Sequence, residues 1–483
     1  MKLYATIIQK AWLLLLSISL FSQISSAQEN NKAWTLEQCI QYAVENNIQV
    51  KQNEISQRIA NQDVKASKYN TLPSLNGFAS HSYNFGQTID PFSNQFATTQ
   101  VRSNQFSLSS SFTIFDGFQT INTIKRNQAS LEASRYDLER MKNDISLNVA
   151  NQYLQILFNR ELLINSENQL KVTELQIDRV KKQVDAGALP EGDLRDIEAQ
   201  YATEELRKIN AENQFRLSRL NLMQLLRLEP HEDFNIKAPE LDNFQGVSEL
   251  ISPASLYQTA VEIMPEIKSA EYNLYSSEKS ASIAKGNYSP TLSISGSVGS
   301  GYSGNNRELV RTIILPPQPN GNFTSSGEAV YSPSVIPVYK DKAFGNQLDD
   351  NYNTSIGFRL NIPIFNGLST RINVQKAKLN VDRAKLVVED SKLQLRQNIE
   401  SAHSDAVASL KRYKAAEKSV EALTLSFQYT QERFNVGMVN SFNFTNEKNR
   451  LNDAQSELLQ AKYEYIFKSK VLDFYRGEAI NLK

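Results

Sequence analysis

Thr113-Ile114-Phe115-Asp116-Gly117 ends an alternating, strand-like run and opens a stretch from Gln119 to Ala186, 68 consecutive residues with neither Gly nor Pro. Pro363-Ile364-Phe365-Asn366-Gly367 does the same 250 positions later, opening the Gly- and Pro-free stretch Leu368–Val436. The spacing holds to the far end of each stretch, where Gly187 matches Gly437. Upstream the offset is 217: Ala43-Val44-Glu45 matches Ala260-Val261-Glu262, Lys51 matches Lys268 and Pro73 matches Pro290. The two offsets differ by 33, which places one extra segment between Pro290 and Phe365. The chain is therefore a duplicated unit, and the repeat governs every other reading.

At about 1.5 Å per residue, each uninterrupted stretch would form a helix on the order of 100 Å long, far beyond a globular-domain helix. A second helical stretch follows each Gly, Asp193–Glu229 in one copy and Met438–Arg476 in the other. Two helical hairpins result, with tips at 187–192 and 437–441, where glycine suits the left-handed position that ends a helix. The apolar spacing gives two stripes in the first copy, Ile145, Val149, Tyr153, Ile156 and Leu147, Ala150, Leu154, Leu157. In the second copy Ala384, Val388, Leu395, Ile399, Ala402, Ala406 and Leu410 make one. Two stripes imply a neighbour on each flank, as in a curved wall of helices; a solid bundle satisfies the stripes as well.

Strands are read from strict alternation. Ile356, Phe358, Leu360, Ile362 and Ile364 alternate with small or polar residues over 355–365, and Phe106, Leu108, Phe112 and Ile114 do so over 106–115. Leu292, Ile294, Val298 and Tyr302 mark a third strand, near 290–302, and 73–85 is a weaker fourth. Each has the length of a tilted membrane-crossing strand, with one apolar and one small or polar face. A soluble half-buried sheet has the same period. Aromatics near the strand ends (Tyr83, Phe85, Phe106, Phe115, Tyr302, Phe365) favour a membrane barrel. Four strands cannot close one, and lipid does not tolerate open edges, so several chains must contribute. The segments 86–104 and 304–352, the latter with Pro316, Pro317, Pro319 and Pro337, read as irregular outward loops.

The N-terminus joins Lys2 and Lys10 to the apolar run 11–16 and ends in Ser25-Ser26-Ala27, the pattern of a secretory signal peptide over residues 1–27. The remainder divides into a first repeat, 28–240 (helical hairpin 118–229), and a second, 241–483 (helical hairpin 368–476). With 52 Lys and Arg against 52 Asp and Glu, the chain lacks the basic surface that nucleic acid requires. Cys39 is the only cysteine, so no intrachain disulfide is possible; it is expected as a small apolar position on a helix 36–50. His81, His231 and His403 lie in a strand, a linker and a helix without metal-ligand spacing. No phosphate loop or nucleophile elbow is present, so neither a cofactor nor an enzyme activity is expected.

With these residues in view, the chain resembles the TolC family of outer-membrane efflux and secretion channels. The resemblance rests on the signal peptide, Phe115-Asp116-Gly117 with Phe365-Asn366-Gly367 as strand-to-helix junctions, Val436-Gly437, and the order helix, strand pair, long helix, return helix, stated twice. It implies a homotrimer in the outer membrane of a Gram-negative bacterium: a 12-stranded transmembrane β-barrel, four strands per chain, above an α-helical barrel in the periplasm. It implies a passive duct without catalysis, docked to a periplasmic adaptor (a membrane fusion protein) and an inner-membrane transporter. It further implies a periplasmic aperture near the tips, for which Asp193 and Asp196 are the candidates with Asn443 and Asn446 opposite them. The family's best-known member carries its aperture acids in the second copy, where this chain has the two asparagines. A ring of carboxylates in a narrow pore would repel anions and retain cations. Gly187, Ala188 and Leu189, with Val436, Gly437, Met438 and Val439, are the candidate adaptor contacts. A secreted coiled-coil or adhesin-like protein that never enters lipid is the rival reading. Whether the cargo is small molecules or proteins does not follow from the sequence.

Overall fold

The computed structural model describes residues 33–90, 92–94, 96–97, 100–229, 234–238, 252–478 and 480. The expected signal peptide, His231 and most of the crossover between copies lie outside them. The chain divides into two compact units, one of residues 1–57, 134–270 and 388–483, the other of residues 58–133 and 271–387.

The duplication is visible element by element. Helices α1 (Leu36–Asn46) and α5 (Pro253–Ile263) are both 11 residues long, and α2 (Ile48–Tyr69) and α6 (Pro265–Gly286) are both 22. The two longest, α3 (Gln119–Asp185) and α8 (Ser369–Asn435), are both 67 residues, and their return helices α4 (Glu191–Leu226) and α9 (Ser441–Tyr475) have 36 and 35. The expected single helix 36–50 is broken at Asn47, whose extended backbone (φ −63°, ψ 135°) is matched 217 positions on by Met264 (φ −68°, ψ 128°). In the second copy Pro265 excludes a helical residue before it. In the first the Asn47 side chain accepts from the Gln49 amide at 2.8 Å and starts a new helix.

In the unit of residues 58–133 and 271–387, β1 (Ser74–Phe85), β4 (Gln100–Phe115), β5 (Thr291–Ser303) and β8 (Asn353–Asn361) form one antiparallel sheet in the order β1-β4-β5-β8. Two-residue strands β2 (Thr88–Ile89) and β3 (Phe96–Ala97) lie between β1 and β4. Rows of like residues run across the sheet. Phe112, Ile294 and Phe358 are in register on one face, and Ser109, Ser297 and Ser355 on the other. The serines satisfy one another, Ser297 Oγ lying 2.8 Å from Ser355 Oγ and Ser74 Oγ 3.0 Å from Ser111 Oγ. Strands β1 and β8 are the edges of the sheet, and among the described residues neither has a further partner.

Two expectations fail here. Strand β8 ends at Asn361, short of Phe365, because Pro363 offers no N–H and β5 begins at Thr291, opposite Asn361. The segment 304–352 is not irregular. It forms a long hairpin of β6 (Arg307–Phe323) and β7 (Ala329–Asp341), followed by the short helix α7 (Phe344–Asp350). A two-stranded ladder has two free edges, so prolines fit where the missing N–H would point outward, or at the register shifts between Leu315 and Gln318 and between Pro319 and Phe323.

The other unit buries three apolar clusters. The largest unites both first-copy stripes, with Val149, Tyr153, Ile156 and Leu157 against Cys39, Leu222 and Leu226. A second packs Leu256 and Ile267 on Leu395, Ile399, Ala402 and Ala406, and the third lies under the helical tips.

Candidate functional site

Both tips are built alike. Gly187 (φ 74°) and Gly437 (φ 76°) occupy the left-handed conformation that closes a helix. Behind them the Ala188 amide donates to Gln183 O at 2.8 Å and the Met438 amide to Arg433 O at 2.9 Å, consuming carbonyls the helices would leave unpaired. Pro190 precedes α4, and Asn440 caps α9 by accepting from the Asn443 amide at 3.0 Å.

Beneath the turns, Val180 and Ile197 of the first copy pack with Phe434 and Phe444 of the second, whose rings stack at 4.7 Å. The cluster binds one tip to the other. It leaves Gly187, Ala188, Val436, Gly437 and Met438 exposed, Val436 at 68 % and Met438 at 73 %. Leu189 is half-buried against the cluster, and Val439, at the equivalent position of the other tip, is half-buried rather than exposed. Phe442, 69 % exposed in the first turn of α9, belongs to the same surface and was missed, because it lies beyond the turn in a helix whose burial pattern is not evident from spacing alone.

Asp193 and Asp196 sit in the first two turns of α4, where the helix dipole favours negative charge. The group that meets them is Ser441, the first residue of α9. Its buried hydroxyl lies 2.5 Å from Asp193 Oδ1 and 3.3 Å from Asp196 Oδ2, donating to one carboxylate at a time. Asn443 and Asn446 are both exposed. A serine at a helix start gives no signal beyond capping, so sequence reasoning passed over it. Arg195 pairs with Glu191 at 3.0 Å and Glu198 at 2.8 Å, and Arg179 reaches Asn435 across the helices at 2.6 Å.

Further from the tips, the Lys448 ammonium is buried 3.0 Å from Glu204 Oε1, with Thr173 bonded to both and the Gln169 carbonyl 3.3 Å away. Gln200 extends the network, donating to Glu204 at 2.8 Å. Burial pushes the Lys448 pKa down, and Glu204 pulls it back up. A buried charge pair costs desolvation that only such saturation offsets. Three helices, α3, α4 and α9, meet on these atoms.

The strand-to-helix junctions are alike in backbone but not in packing. Gly117 and Phe118 (φ 67° and 64°) match Gly367 and Leu368 (φ 63° and 64°). Asp116 accepts from the Thr120 amide at 2.8 Å, whereas Asn366 bonds the Thr370 hydroxyl. A Cβ on Gly117 would lie 2.6 Å from the Gly286 carbonyl, while one on Gly367 would meet nothing within 4 Å. Strand β4 runs through Phe115, whereas Phe365 lies beyond its strand.

Among the described residues no group of three or more His, Cys, Asp or Glu could hold a metal ion, and no helix is long and apolar enough to cross a membrane. His81 bonds Asn104 within the sheet, and His403 is half-buried on α8.

A duplicated sheet-and-helical-hairpin chain with paired tips defines a channel subunit of the outer-membrane type. The chain belongs to the outer membrane efflux protein family, whose profile matches residues 39–226 and 256–477. It is 21 % identical over 440 residues to the outer membrane efflux protein BepC of Brucella suis, covering 91 % of this chain and 84 % of that protein. It is likewise 21 % identical over 454 residues to the outer membrane protein TolC of Escherichia coli, covering 93 % and 82 %. The fold is that of the Campylobacter jejuni CmeC outer membrane channel, at a TM-score of 0.73 and 17 % identity over 95 % of this chain and 92 % of that one. The family sets aside a secreted coiled coil or adhesin and places the chain among outer-membrane efflux channels.

Proposed function

We propose that three copies of this chain form the passive exit duct of a tripartite export machine, with a periplasmic adaptor at the helical tips and an inner-membrane transporter supplying the energy. The observation that carries this reading is the four-stranded sheet with both edges unpaired among the described residues and apolar side chains such as Leu108, Ile356 and Phe358 exposed, joined to helices of 67 residues. Lipid does not tolerate open edges, and three such sheets closing edge to edge remove them. The serine rows then line a watery lumen, and the rows of Phe112, Ile294 and Phe358 face lipid. Family membership supports the same arrangement. The chain carries no catalysis in this scheme, and residues 1–27 direct its export.

The tip surface of Val436, Met438 and Phe442 is the adaptor contact in this reading, since exposed apolar side chains beside a rigid turn mark an interaction site. Asp193 and Asp196, held by Ser441, form the aperture. Opening would part Ser441 from the carboxylates and free their charge toward the pore.

Fractionation of cells tests the first claim: the protein should enter the outer membrane and run as a trimer that heat converts to monomer. Recovery as a soluble monomer would overturn it. In planar bilayers, Asp193→Asn with Asp196→Asn should abolish cation preference, and Ser441→Ala should raise conductance. Unchanged currents in both would remove these residues from the aperture.

A further inference from the structure

The hairpin of β6 and β7 presents its less polar face to solvent. On β7 the odd-numbered residues Tyr331, Pro333, Val335, Pro337 and Tyr339 share one face, and every one is exposed, Val335 at 53 % and Tyr339 at 54 %. Their partners across the ladder are Pro319, Ile314, Thr312 and Leu309, so this face carries no charge between Leu309 and the tip. The opposite face holds the Glu308–Lys340 ion pair (2.9 Å) and Arg311; of its β7 residues, Val330, Ser332, Ser334 and Val338 are half-exposed and Ile336, opposite Ile313, is exposed. An isolated two-stranded sheet is marginal in water, and one with an uncovered apolar face is less stable still.

The hairpin is nonetheless held firmly at its root. Gln347 of α7 is buried and bonds the Ser303 backbone twice, accepting from its amide at 2.9 Å and donating to its carbonyl at 3.0 Å, and also donates to Lys342 O at 2.9 Å. The Ser303 hydroxyl bonds the buried Asp90, which also accepts the amides of Phe92 at 2.9 Å and Ser93 at 3.1 Å. The apolar face is thus presented from a fixed base rather than from a loose loop.

We infer that the occupant of this face is the same hairpin from the other copies of the chain, three apolar faces converging on the threefold axis as a small shared core at the outer end of the barrel. The inference rests on the trimer proposed above. Its support is continuity: α7 leads directly into β8, the unpaired edge strand, so the root of the hairpin lies where the next copy must join. Symmetry brings the matching stripe to the same level, and apolar surface covers apolar surface while the charged face stays in water.

Cysteine cross-linking on the full-length protein in outer-membrane vesicles decides the matter. In a Cys39→Ala background, Val335→Cys treated with a short bis-maleimide should convert most of the chain to covalent dimers, whereas Ser334→Cys on the other face should give none. Tyr331→Cys, on the same face as Val335, serves if Val335→Cys fails to assemble. An intact trimer in which Val335→Cys forms no cross-link overturns the inference and leaves the trimer standing, whether the thiol is freely labelled or shielded by lipid or another molecule. Absence of a trimer before any reagent is added overturns the underlying assembly, and this inference with it.

Discussion

Cys39 is fully buried among Val149, Tyr153 and Leu222, and burial pushes its thiol from 9.0 up to about 12, with Glu37 adding to the rise. Below pH 9 the thiol is neutral whether the chain is folded or not. Between pH 9 and about 12 the unfolded chain releases the proton and the folded chain retains it, so stability falls as pH rises. The rise from 9.0 to about 12 corresponds to about 4 kcal/mol. Cys39→Ala should therefore flatten the alkaline decline in denaturation midpoint, and an unchanged slope would assign that decline to Tyr153, whose hydroxyl burial also pushes up. Lys448 calls for a different experiment. Lys448→Met leaves Glu204 charged in the interior and should cost about 3–5 kcal/mol, while adding Glu204→Gln should recover much of the loss. A double mutant no better than the single one would mean that the pair is not coupled. Neither Lys448 nor Glu204 stood out in the sequence. A lone charge on a long helix reads as solvated surface, and only the packing of α3, α4 and α9 removes its water.

At the level of elements, most of the architecture was legible because it is local and stated twice. The strand-to-helix junctions at 115–117 and 365–367 and the glycines at both tips are each written in a few neighbouring residues, whereas the break at Asn47, inside an expected helix 36–50, was not, because only its second-copy counterpart is followed by a proline. The hairpin of β6 and β7 was not, because its prolines imitate loop composition and its bulges interrupt the alternation. Of the candidate tip residues, the exposed ones were legible from the turn. Ser441 was not, since its role depends on a carboxylate in the other copy. The junctions give a test of how far the copies have diverged. Gly117→Ala forces a Cβ against the Gly286 carbonyl at an unfavourable φ, whereas Gly367→Ala meets only the φ penalty. Thermal unfolding should show both variants losing about 1–3 kcal/mol to left-handed strain, with Gly117→Ala losing more because its Cβ also collides with the Gly286 carbonyl. Equal losses would mean that the crowding at Gly117 relaxes freely.

Across the whole molecule, the equal length of α3 and α8 ties the two copies to one another. Their tips share the cluster of Val180, Ile197, Phe434 and Phe444, so a change of length in one hairpin must be matched in the other. Deleting seven residues, close to two helical turns, from α3 and seven from α4 should separate the tips and abolish the heat-modifiable trimer. The same deletion made in α3, α4, α8 and α9 together should restore the trimer while export stays lost, because in the proposed assembly the shortened hairpins stop short of the adaptor. Export by the fourfold-shortened protein would show that the helical length is not a measure of the gap it bridges.

The prolines of the outer hairpin have one more consequence. Pro316, Pro317 and Pro319 on β6, with Pro333 and Pro337 on β7, strip hydrogen-bond donors from strands that would otherwise be long, apolar and open on both sides. Such edges template the addition of further strands and seed aggregation. With donors missing along both strands, the hairpin can present a sticky face without growing into an endless sheet. An export-bound chain that must remain unassembled until it reaches its membrane gains its safety in transit from residues that, in the sequence, looked only like punctuation.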